Sequence, residues 1–62
     1  MKVRDVIKLI QDDGWYLVRT KGSHRQFKHP QKPGAVTVSG NLGKEMPSGT
    51  LNSVLKQAQI KE

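Results

Sequence analysis

Lys21-Gly22-Ser23-His24-Arg25-Gln26-Phe27 reads as a tight turn running straight into a short strand, with a histidine at the junction. Gly22 permits a positive φ and Ser23 favours turns, so the chain reverses here. Phe27 must be buried in a chain with so few aromatic residues. Alternation along the strand then places Arg25 and His29 on the side of Phe27, and His24, Gln26 and Lys28 on the other. His24 is expected on the solvated side of the sheet or at its rim.

Working outward, Trp15 to Thr20 is rich in aromatic and β-branched residues and reads as the strand entering the turn, and His24 to His29 as the strand leaving it. Pro30-Gln31-Lys32-Pro33-Gly34 is dense turn chemistry leading to a third strand, Ala35-Val36-Thr37-Val38-Ser39. Short turns between consecutive strands make an antiparallel meander. Upstream, Val3, Val6, Ile7 and Ile10 fall at helical spacing, which predicts a helix from about Val3 to Asp13 with Gly14 as its C′ residue. Asp12 and Asp13 sit at its carboxyl end, where the helix dipole disfavours negative charge, and nothing in the sequence explains that pair. Downstream, Gly40 to Met46 reads as a loop, and Pro47 suits the first turn of a helix carrying Leu51, Val54, Leu55 and Ala58. The expected architecture is α+β, in the order helix-strand-strand-strand-helix. It is a three-stranded antiparallel sheet with both helices on one face and the other face wet.

With 62 residues, positions 1–62 make one domain. A chain this short buries only roughly 60% of the surface it exposes when unfolded. There is no cysteine, which removes disulfides, thiolate metal sites and cysteine nucleophiles together and points to a reducing, cytoplasmic setting. No apolar run approaches the roughly 20 residues of a membrane span. The formal charge is +6, and no Asp or Glu occurs from Gly14 to Lys44. Arg19, Lys21, Arg25, Lys28, Lys32 and Lys44 lie in that acid-free stretch. A one-signed segment inside a folded domain attracts polyanions, nucleic acid being the commonest. A solvated basic face, or a site for an acidic protein, fits the same charge.

An imidazole titrates close to neutrality and is the side chain best suited to exchange a proton there. Lys21 and Arg25, on either side of His24, favour its uncharged, proton-accepting form and supply cations for a phosphate. RNA brings its own nucleophile, the 2′-hydroxyl, so one base in a cationic cradle suffices for cleavage. Ser23 is a weaker nucleophile candidate, because no acidic residue lies nearby to complete a triad with His24. His24 and His29 fall on opposite faces, and the carboxylates lie toward the two ends of the chain, so no metal site is expected. Trp15 and Tyr16 can stack on bases, although adjacent aromatics opening a strand more often divide between core and rim. Ser48, Gly49 and Thr50 can cap the last helix or offer N–H groups to a phosphate. An ordinary hairpin bearing a surface histidine is the plain alternative.

Three features resemble those of the HicA-type mRNA interferase toxins, the YcfA-like family. They are the element order, Gly22-Ser23-His24-Arg25-Gln26-Phe27 at the head of the second strand, and Pro47-Ser48-Gly49-Thr50-Leu51 opening the last helix. Asp13-Gly14-Trp15 and Leu55-Lys56-Gln57-Ala58 are also similar to that family's usual run. The departures are an uncapped first helix and a second helix begun by Met46-Pro47, neither touching the motif. The resemblance implies a fold like a double-stranded-RNA-binding domain, in which RNA is met through the helices and the loop between the first two strands. It implies that His24 is the catalytic histidine, that messenger RNA is cut and translation blocked, that no cofactor is needed, and that a HicB-type antitoxin covers the His24 site. RNA-binding residues on this reading are Lys21, Gly22, Ser23, Arg25, Lys28 and, further along, Lys44. A non-catalytic RNA-binding module and an adaptor for an acidic protein are the alternatives.

Overall fold

Val3, Val6 and Ile10 are buried along one stripe of helix α1 (Val3–Asp12), as the spacing requires. The chain continues through strands β1 (Tyr16–Lys21), β2 (His24–Lys28) and β3 (Val36–Val38) to helix α2 (Ser48–Gln57) in this computed structural model, which describes residues 1–61. The sheet runs β1-β2-β3 with both pairings antiparallel. Phe27 pairs with Val36, and Arg25 with Val38. Phe27, Val36 and Val38 therefore share a face, and they join Val3, Val6 and Ile10 of α1 and Val54 and Ala58 beside or within α2 in one core. Both helices thus cover the same side of the sheet. Thr37, between the two buried valines, points to the open side. Among the described residues no helix is long and apolar enough to cross a membrane.

Neither helix has a side-chain cap at its amino end, and α1 is capped instead by distant backbone. The Val3 N–H donates to the Lys44 carbonyl at 2.9 Å and the Arg4 N–H to the Leu42 carbonyl at 3.0 Å. The segment from Gly40 to Met46, featureless in the sequence, supplies the acceptors that the first turn of a helix lacks.

Both carboxyl ends close in Schellman motifs. At α1 the Gly14 N–H donates to Gln11 and the Trp15 N–H to Ile10, with Gly14 at φ +112°. At α2 the Gln59 N–H donates to Lys56 and the Ile60 N–H to Leu55, but the left-handed position, φ +55°, holds a glutamine. The two ends are drawn together by the segment after β2. Lys32 Nζ donates to Asp13 Oδ2 at 2.6 Å, to the Ala58 carbonyl at 3.3 Å and to the Gln59 carbonyl at 3.2 Å. Trp15 Nε1 donates to the same Ala58 carbonyl at 3.3 Å. His29 Nδ1 accepts the N–H groups of Gln31 and Lys32, so its hydrogen is on Nε2, which donates to the Asp13 carbonyl at 2.8 Å. His29 Nε2 also lies 3.9 Å from the Asp13 carboxylate. The ring also meets Trp15 edge-on, centroids 5.2 Å apart.

Asp13, unexplained in the sequence, is therefore the counter-ion of a lysine placed at two helix carboxyl ends. The hydrogen bond from Lys32 holds the Asp13 carboxyl below the ordinary aspartate value, Lys32 also acting through its charge. A lowered folded-state value means that the pair stabilises the fold above the unfolded value, about 3.9, and is lost as pH falls through the lowered one. Wild type is expected to melt higher than Asp13→Asn at neutral pH, with the gap closing below about pH 4; a gap that persists in acid would refute the pairing.

A Cβ at Gly14 would lie 2.7 Å from His29 Nε2, and the residue would also be left-handed. Gly14→Ala is expected to cost about 1–3 kcal/mol, whereas Gln59→Gly relieves a left-handed side chain and should add a few tenths to about 1 kcal/mol. Urea denaturation of the two variants should give midpoint shifts of opposite sign.

Candidate functional site

The open face of the sheet is set by the register of its strands. Lys21 pairs directly with His24 across a two-residue loop, with Gly22 at φ +60° and Ser23 not left-handed, as in a type II′ hairpin turn. The sequence placed the strand boundary one residue earlier, at Thr20. Closure at Lys21 sets the cation directly opposite the imidazole.

Between Leu17 and Arg19 the register slips by one residue. Leu17 pairs with Phe27, but Arg19 pairs with Gln26, leaving Val18 as the extra residue of a β-bulge. Without the slip, simple alternation would keep Leu17, Arg19 and Lys21 on one side, that of Phe27. With it, Arg19 and Lys21 turn to the open face beside His24 and Gln26. Arg19, Lys21, His24, Gln26 and Thr37 together line a depression of about 250 Å³. It offers two cations, an imidazole, an amide and a hydroxyl, and among the described residues no carboxylate lines it. His24 itself is exposed.

Lys28 is exposed on the same face and pairs across the strands with Tyr16, which is 50% exposed. Its neighbour Trp15 is 2% exposed and part of the core, so the two aromatics divide between interior and open face. Arg25 faces the other way. Its guanidinium donates to the Gly40 carbonyl at 3.0 Å and to the Ser23 carbonyl at 3.3 Å, tying the hairpin to the loop after β3. Lys44 lines a separate depression with Pro47 and Thr50, next to Glu45. Gly22 and Ser23 are exposed at the turn.

Of the six cations in the acid-free stretch, then, Arg19, Lys21 and Lys28 are on the open face. Arg25 and Lys32 hold backbone carbonyls, and Lys44 stands apart. Arg19 was visible as charge but was not assigned to the site, because a bulge leaves no mark in composition. Gln26 and Thr37 were likewise missed. Gln26 was already on the side of His24 by alternation, and that was the available signal.

Fold and face define a small α+β protein with a cationic sheet surface around one exposed imidazole. The family model described as the HicA toxin of bacterial toxin-antitoxin matches residues 3–60, and the chain belongs to that family. It is the toxin member of a toxin-antitoxin pair, whose other member is its partner. No curated protein matches the chain.

The placement of the two hairpin cations separates their roles. Arg25→Met is expected to lower stability by about 1–2 kcal/mol through the lost carbonyl bonds, while Lys21→Met should stay within about 0.5 kcal/mol of wild type. Wild-type stability of Arg25→Met in urea melts would show that Arg25 is not a structural residue.

Proposed function

We propose that this protein is an endoribonuclease that cuts messenger RNA without a metal, with His24 as general base, and so blocks translation in the cytoplasm. The observation that carries the reading is the exposed His24 imidazole sharing one depression with Lys21 and Arg19 and, among the described residues, with no carboxylate. His24 takes the proton of a 2′-hydroxyl, and the resulting oxygen attacks the adjacent phosphorus. The bond from phosphorus to the 5′-oxygen breaks, that oxygen takes a proton from a water that recovers one from the His24 imidazolium, and a 2′,3′-cyclic phosphate remains. Lys21 and Arg19 hold the scissile phosphate and meet the charge that builds on it. Gly22 and Ser23 border this phosphate at the turn, and Lys28 and Lys44 contact the RNA further along. Arg25 supports the turn from the inner side.

A HicB-type antitoxin that neutralises this activity would cover the His24 depression and exclude RNA from it. The family membership supports an antitoxin partner, and the reaction assigned here supplies a reason for blocking that face.

The test is cleavage of purified RNA in excess chelator by wild type and by His24→Ala. Loss of about 10²–10⁴-fold in rate is expected for the variant, with cyclic phosphate ends on the wild-type products. Equal rates, or activity that vanishes with the chelator, would overturn the mechanism. RNA binding without cleavage by wild type would instead identify a non-catalytic RNA-binding module.

A further inference from the structure

We propose that the open sheet face binds its RNA as a single strand, with one base stacked on Tyr16 and the neighbouring phosphate on Lys28. The inference rests on the reading above in taking RNA as the ligand. It adds which form of RNA is bound, and by which surface.

Tyr16 is half exposed on the open face, and its cross-strand partner is Lys28. Directly opposed side chains lie close enough for one ligand to touch both, a ring for a base and an ammonium for its phosphate. Four residues along β2 separate Lys28 from His24, about 13 Å at the rise of a strand. Between them the register turns Arg19 and Lys21 to the same face. Cations therefore continue from the Tyr16 end of the sheet to the imidazole, with no acidic side chain in β1, β2 or β3. An open face with an exposed tyrosine and a line of positive charge suits unstacked bases and a flexible backbone.

The helix side offers a duplex only interrupted positive charge, Lys44 by the start of α2 standing next to Glu45. A double-stranded helix is recognised by shape and phosphate contacts over a long, continuous surface. The first turn of α2 carries neither acid nor cation, and Lys56 is the basic residue of its last turn. On α1 the exposed Arg4 and Lys8 are interleaved with Asp5 and Asp12. Charge complementarity thus favours the sheet over the helices.

Binding is separated from cleavage by using His24→Ala protein throughout. Fluorescence anisotropy compares a labelled single-stranded oligoribonucleotide with the same strand in a blunt duplex. The single strand is expected to bind at least about tenfold tighter, and adding Tyr16→Ala should weaken it by about tenfold, while Tyr16→Phe retains the affinity. Lys28→Gln, as an independent variant, should flatten the dependence of affinity on salt by about 0.7 in logarithmic slope. Duplex binding as tight as the single strand, or unchanged affinity in both Tyr16→Ala and Lys28→Gln, overturns the inference. If the single strand binds as expected but wild type does not cut it, the ribonuclease reading falls and this one stands. If wild type cuts RNA and the Tyr16 and Lys28 variants bind normally, the reverse holds. No binding of either form overturns both.

Discussion

One ammonium group joins the two helices. Lys32 reaches from the segment after β2 to the Asp13 carboxylate at the end of α1 and to the Ala58 and Gln59 carbonyls at the end of α2. A cation at two carboxyl termini satisfies orphan acceptors and both dipoles together. Trp15 and His29 complete the arrangement by donating to Ala58 and Asp13. Both helices pack on the side of the sheet that carries Phe27, Val36 and Val38. The opposite face is left open to ligands.

The two faces of β2 follow from this division. Phe27 belongs to the interior and Arg25 braces the hairpin against Gly40, while His24, Gln26 and Lys28 are left on the open side. Alternation of side chains made that split readable before any coordinates. The matching split on β1 was not readable, since the bulge at Val18 shifts the phase of everything after it. Arg19 joined the site through that shift. The six cations of the acid-free stretch therefore have three distinct fates: Lys32 and Arg25 satisfy carbonyls, Lys44 lies by the start of α2, and Arg19, Lys21 and Lys28 face solvent across the sheet.

Backbone capping shows a similar limit. The first helix looked uncapped because no Ser, Thr, Asp or Asn precedes it, yet Lys44 and Leu42 carbonyls accept its first N–H groups. The acidic pair at its other end looked unfavourable, and half of it proved to be the lysine's counter-ion. Both cases depend on partners about twenty to forty residues distant, which local periodicity does not register. The left-handed Gln59 is similar, since the glycine that marks such a position at α1 is missing at α2.

Periods of 3.6 and 2 in the apolar residues, glycines where the chain must turn, and an acid-free middle were enough to determine the element order, most of the core and the exposure of His24, though not the burial of Met46 from the loop before α2. Those properties are local, so neighbouring residues express them. Which cations meet the imidazole, what caps each helix and why Asp13 is tolerated were decided only by the tertiary structure. Register, a single inserted residue and hydrogen bonds across the fold bring together groups whose separation along the chain carries no trace of their contact.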